Sequence, residues 1–229
     1  MDMFGPQVLK IFEIIWINII LSGDNAVVIA MACRALPPDK QRMGMILGAG
    51  VAVVLRIIFT ALVVTLLTTP YLKIAGGLLL LWVAVKLVGG EEEGDSSVKE
   101  SDKLWQAVKT VAIADAVMSL DNVLAIAAVA KDSTFLLVLG LAISIPLIVA
   151  GASVIITLLE RFPVLVWAGA ALLGWIAGEM IVSDPALVSR FGVDQTHRLE
   201  IPAAIAAALL VIGLGFLLTR RRHAAATNA

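Results

Sequence analysis

Seven runs of apolar residues, each near the length that crosses a bilayer, dominate this sequence. A helix spans the hydrocarbon core with roughly 20 such residues. The runs lie at about 11–33, 44–68, 71–88, 104–130, 134–158, 163–183 and 201–219, and the last holds no charge. Composition agrees: 60% of the 229 residues are hydrophobic and 15% are charged, against roughly 45–50% and 25% in soluble domains. A chain of 24.2 kDa has too little interior to bury that excess. The expected fold is an all-α polytopic membrane protein with seven transmembrane helices, forming one transport domain over residues 1–229.

Several function classes drop out. A net charge of -1 and a pI near 6.1 provide no basic face, so no nucleic-acid partner is expected. The one cysteine, Cys33, excludes a disulfide scaffold and a thiolate cluster. Two histidines, His197 and His223, are too few for a His-rich metal site. No P-loop pattern points to ATP hydrolysis. The polar stretch from Gly89 to Lys103, with six acidic and two basic residues, reads as a solvated linker. With seven spans, the loops on the side of the C-terminus collect ten basic residues and the opposite loops five. The positive-inside rule then places the N-terminus outside and the C-terminus in the cytoplasm.

The chain also resembles itself. Asn18–Ala30 (NIILSGDNAVVIA) matches Asp115–Ala127 (DAVMSLDNVLAIA), and the stretch from Pro70 through Trp82 to Lys86 matches that from Pro163 through Trp175 to Glu179. Two matched blocks in the same order give an expectation of two three-helix repeats. Repeat one covers about 11–88 and repeat two about 104–183, with the linker 89–103 between them and an extra helix at about 201–219. An odd number of spans per repeat inverts the second copy, an arrangement common in secondary transporters, whose sites lie near the midplane.

Polar residues inside the apolar runs carry the functional signal. Asn18, Ser22 and Asn25 recur at i, i+4 and i+7, and so do Asp115, Ser119 and Asn122. Each set forms one stripe on a regular helix. Asp24 and Asp121 stand beside those stripes. An ionised carboxylate at membrane depth costs at least about 2.5–3.5 kcal/mol, so these aspartates require a cation, a proton, a basic side chain or water. Interhelical hydrogen bonding is the structural alternative. Carboxylate, amide and hydroxyl oxygens suit hard cations such as magnesium, calcium or manganese. Met31 and Met118 read first as packing residues, although a thioether in the shell favours a softer ion such as manganese.

Two more charges stand out. Glu179 near the end of span six is a candidate ligand or proton-exchanging group, with an interfacial role as the alternative. Arg56 sits in the middle of span two and demands an anionic partner, for which Asp24, Asp115 and Asp121 are the candidates. Charge balance or gating is the favoured reading of Arg56.

The doubled Ser-X-Asp-Asn signature inside membrane spans resembles the TerC family of integral membrane proteins, in the form of its short YjbE-type branch of metal transport proteins. That branch lies within the superfamily that includes the LysE-type exporters. The resemblance covers essentially the whole chain. It implies a bacterial inner-membrane protein that exports manganese as a transported substrate, with no tightly bound cofactor. It also implies that Asp24, Asn25, Asp121 and Asn122 form the metal site, with Asn18 and Asp115 at the matching outer positions.

The leading function is thus a secondary transporter exporting divalent metal ions, manganese foremost, with proton antiport as the preferred coupling. A structural or chaperoning subunit of another membrane complex is the alternative, and an intramembrane enzyme built on two aspartates ranks third. The lipid bilayer and the metal ion are the expected partners. No sequence element selects an oligomeric state.

Overall fold

The computed structural model describes residues 23–89, 100–129 and 134–227. Lipid offers the backbone no hydrogen-bonding partner, so an apolar chain pairs its own N–H and C=O groups in helices. Nine helical segments occur among the described residues: α1 (Gly23–Cys33), α2 (Pro38–Ala61), α3 (Val63–Thr68), α4 (Leu72–Gly89), α5 (Glu100–Val129), α6 (Thr134–Arg161), α7 (Val164–Val182), α8 (Pro185–Phe191) and α9 (Val193–Thr227).

The expectation of seven transmembrane helices is corrected. Among the described residues four helices are long and apolar enough to cross a membrane: Pro38–Phe59, Leu72–Gly89, Val164–Val182 and Val193–Arg220. They correspond to expected spans two, three, six and seven. Of expected span one, residues 11–22 lie outside the described residues, and the described part forms the 11-residue helix α1. At expected span four, α5 begins at Glu100 inside the polar linker, and its side chains from Asp121 onward lie outside the described residues. The expected span at 134–158 lies within helix α6, with about half of its side chains outside the described residues.

Two sequential inverted three-helix repeats are not the structural units either. The chain divides into one compact unit of Met1–Leu67 with Glu100–Leu158 and another of Thr68–Lys99 with Leu159–Ala229. Each unit draws on both halves of the sequence. Helices satisfy their buried faces against whichever neighbour fits, and that neighbour is not the next one along the chain.

In the first unit α2 packs along α5, and α1 rests on both. Small residues permit the approach. A Cβ on Gly48 would stand 3.1 Å from Val111 Cγ1, and one on Gly44 would stand 2.9 Å from Leu36 Cδ1. Pro38 opens α2 at the position where its missing N–H costs nothing. Gln41 then reaches back, donating from Nε2 to the carbonyls of Arg34 and Leu36 just after α1. Ser153 of α6 donates to Met45 Sδ of α2 at 3.7 Å, which ties α6 to the same unit.

In the second unit α7 is packed between α4 and α9. A Cβ on Gly178 would stand 2.5 Å from the Ala203 carbonyl oxygen and 2.6 Å from Ala204 Cα, so only glycine lets α7 and α9 meet backbone to backbone. Gly77 holds the same kind of position against Ala177 and Ile181. The opposite face of α9 carries Leu209 and Phe216, exposed at 63% and 57%. An apolar face of that kind belongs against lipid.

Asp184 joins the helix ends of this unit. It is fully buried, and it caps α8 by accepting from the Ala186 N–H at 2.8 Å. The same carboxylate accepts from the N–H groups of Tyr71, Lys73 and Ile74 at 2.9, 3.0 and 3.2 Å. These donors lie at the start of α4, where a helix leaves its first N–H groups without internal partners. Tyr71 adopts a left-handed φ of 66°, which turns its N–H onto Asp184. A single cap is worth about 1 kcal/mol. Because this carboxylate serves two helix starts, Asp184→Ala should cost about 2 kcal/mol or more, whereas Asp184→Asn, which keeps one acceptor oxygen, should cost less. Thermal unfolding in detergent checks the order; equal stabilities would contradict the double cap.

Candidate cation site in the first unit

The site begins on α5. Asp115 and Ser119 lie one helical turn apart and face the same way, so the Ser119 hydroxyl donates to Asp115 Oδ2 at 3.2 Å. From α2, the Arg56 guanidinium donates through Nη2 to Asp115 Oδ1 at 3.0 Å. Relative exposures are 3% for Asp115, 2% for Arg56 and 0% for Ser119. Of the carboxylates expected to partner Arg56, Asp115 is one that does so, and the side chain of Asp121 lies outside the described residues. Charges this deep are tolerated only when paired and hydrogen-bonded, and both conditions hold.

α1 supplies the remaining described groups. Asn25 is buried at 4% exposure. With Val28, Ile29, Val111 and Asp115 it lines a small niche. Neither its Nδ2 nor its Oδ1 has a hydrogen-bond partner among the described residues. A buried amide that forgoes its hydrogen bonds costs about 1–3 kcal/mol, and such a group calls for an explanation. Asp24 precedes it, half-buried, with Oδ1 accepting from the Asn25 backbone N–H at 2.8 Å. Asp24 also lies within electrostatic reach of Arg56 and Asp115.

Of the residues singled out in the sequence, the first unit thus brings together Asp24, Asn25, Arg56, Asp115 and Ser119. Asn18 and Ser22 lie outside the described residues, as do the side chains of Asp121 and Asn122, whose backbone belongs to α5. Glu179 belongs to α7 in the second unit. There it is half-buried and accepts from Trp175 Nε1 at 2.7 Å. At the matching sequence positions of α4, the Lys86 ammonium stands over the Trp82 ring at 5.6 Å. Met31 and Met118 are buried in the apolar core.

No group of three or more histidine, cysteine, aspartate or glutamate side chains that could hold a metal occurs among the described residues. The donors present are carboxylate, amide and hydroxyl oxygens. Such a set suits a hard cation held with few charges, and hence held weakly. Sequence reasoning missed Asp184. Its signal was the Ser-Asp-Pro stretch after an apolar run, a capping residue followed by a first-turn proline.

The Arg56–Asp115 pair has a direct energetic consequence. Removing one partner leaves a buried charge unmatched, so Arg56→Met or Asp115→Asn alone should cost about 3–5 kcal/mol. The double variant should cost much less than the sum. A double-mutant cycle on unfolding in detergent measures the coupling, and additive losses would reject it.

Comparison with known proteins accords with this picture. The family described as "Integral membrane protein TerC family" matches residues 3–225. The chain is 43% identical over 179 residues to "Uncharacterized membrane protein YjbE" of Bacillus subtilis (strain 168), covering 78% of this chain and 82% of that protein. It is 29% identical to YceF of the same organism, over 70% of this chain and 66% of that protein. YkoY of that organism is 26% identical, over 85% and 67% respectively. No solved structure matches. A match over nearly the whole chain is decisive: this protein belongs to the TerC family of integral membrane proteins, related to YjbE, and is a multi-pass membrane protein.

Proposed function

We propose that the chain is a secondary transporter that moves divalent cations, manganese foremost, out of the cytoplasm. The observation that carries the reading is the Asn25 amide, buried with both polar atoms unused beside a paired Asp115. A transported cation would take the amide Oδ1 as a ligand, leaving Nδ2 to donate to the cation's other oxygen ligands. Asp24 and Asn25 on α1, with Asp115, Asp121 and Asn122 on α5, are assigned as its ligands, since α1 packs against α5. Asn18, Ser22 and Ser119 are assigned to the periphery of the same site.

The chain acts, in this reading, as one transport domain in a bacterial inner membrane, with the N-terminus outside and the C-terminus in the cytoplasm. Export of a divalent cation must oppose an inside-negative potential, and exchange for protons supplies the driving force. Oxygen ligands of this kind also accept magnesium and calcium, so selectivity for manganese has to come from cavity geometry.

Everted vesicles with an imposed pH gradient provide the test. Manganese uptake should require the protein, fall when the gradient is collapsed, and fall at least tenfold in Asp24→Asn and Asn25→Ala. A rate indifferent to the gradient would remove antiport, and a rate indifferent to both substitutions would remove the site. A structural subunit is the second reading, favoured by the fact that the Arg56–Asp115 pair is satisfied without any ligand. It requires that manganese leave the thermal stability of the purified protein unchanged.

Glu179 is assigned to proton coupling rather than to cation binding. Glu179→Gln retains an acceptor for the Trp175 N–H, so folding should survive. The pH dependence of manganese flux should flatten, while equilibrium manganese affinity stays within about twofold of wild type. Loss of binding at every pH would make Glu179 a ligand instead.

A further inference from the structure

Arg56 and the transported cation have the same requirement, the Asp115 carboxylate. The guanidinium already holds Oδ1 at 3.0 Å, and Ser119 holds Oδ2. The niche beside this pair is lined by the unused Asn25 amide. A divalent cation that took Asp115 as a ligand with Arg56 in place would sit close to a positive charge in a medium that screens poorly. We propose that Arg56 is a tethered counter-cation, which occupies Asp115 when the site is empty and yields it when a divalent cation enters.

This inference rests on the transport reading and adds a positioning and selectivity role for Arg56. Charge accounting supports the exchange. With Arg56 on Asp115 the empty pair is neutral, so the carboxylate is never bare at membrane depth, where a lone charge is costly. When a divalent ion takes Asp115, that carboxylate and the half-buried Asp24 balance its two charges, and the displaced guanidinium turns to another acceptor.

The competition also selects by charge density. A guanidinium spreads one charge over a plane and is weakly hydrated. A small divalent ion places two charges at one point, and so displaces it from a carboxylate. A sodium or potassium ion has no such advantage over a tethered guanidinium that is already in place. Arg56 thereby excludes the abundant monovalent cations from Asp115.

The test uses the full chain purified in detergent, with manganese as the probe and gel filtration to establish that each variant is folded. In Arg56→Gln the resident charge is gone, so manganese should bind at least tenfold more tightly. Release should slow, lowering flux in proteoliposomes, and sodium or potassium should now inhibit binding that they leave untouched in the wild type. A purely structural arginine would not produce tighter binding with slower turnover. Unchanged or weaker affinity in folded Arg56→Gln would overturn the proposal.

Arg56→Lys, with a shorter reach and no planar fork, should move affinity in the same direction by a smaller factor. If neither variant folds, infrared difference spectra of wild type with isotope-labelled arginine decide the matter. A shift of guanidinium bands on adding manganese supports release of Asp115, and a silent spectrum overturns it. Wild-type protein that binds no manganese would defeat the transport reading itself. Wild-type binding with an indifferent Arg56→Gln would defeat this inference alone.

Discussion

A buried guanidinium facing a buried carboxylate is the constraint around which the first unit is organised. Arg56 on α2 and Asp115 on α5 are each all but inaccessible, and neither would be tolerated at that depth without a compensating partner. Their pairing sets the rotation of α2 against α5, because a helix turned by one residue would aim the charge elsewhere by about 100°. Gly48 and Val111 then meet along the same contact. The ion pair thus specifies how two apolar helices meet, although apolar surfaces alone are indifferent to register.

The second unit solves the opposite problem with little buried charge among its described residues. Glycine and alanine on α7 and α9 allow backbone to touch backbone, and dispersion across that contact replaces a specific ion pair. Its one deep charge, Asp184, acts on backbone rather than on a side-chain cation. By taking four N–H donors it holds the starts of α4 and α8 to a single point. The Trp175–Glu179 bond is a further local lock, made within one turn of α7. Buried polarity is therefore structural in the second unit, whereas at Asn25 in the first it has no hydrogen-bond partner among the described residues.

Much of this could be read from residue order, and the limits are physical. Apolar runs report that a stretch will be helical and greasy, and four of them match helices long enough to cross a membrane. The Ser-Asp-Asn stretches announced buried polarity, and Arg56 announced a carboxylate partner. The self-similarity of the sequence suggested two consecutive three-helix units, whereas the compact units interleave. Repeated residues record resemblance between segments, not which segment packs on which.

Residue order by itself determined the helices, the membrane setting, the family and the polar residues that must find partners inside apolar surroundings. Those properties are local, or sums over local windows, because hydropathy and helix formation act over a few turns. Tertiary structure alone decided that Arg56 takes Asp115 across 59 positions. It decided too that Asp184 reaches Tyr71 across 113 positions. Partner choice depends on how helices rotate and approach, and that is settled by the shapes of all their contacting side chains at once.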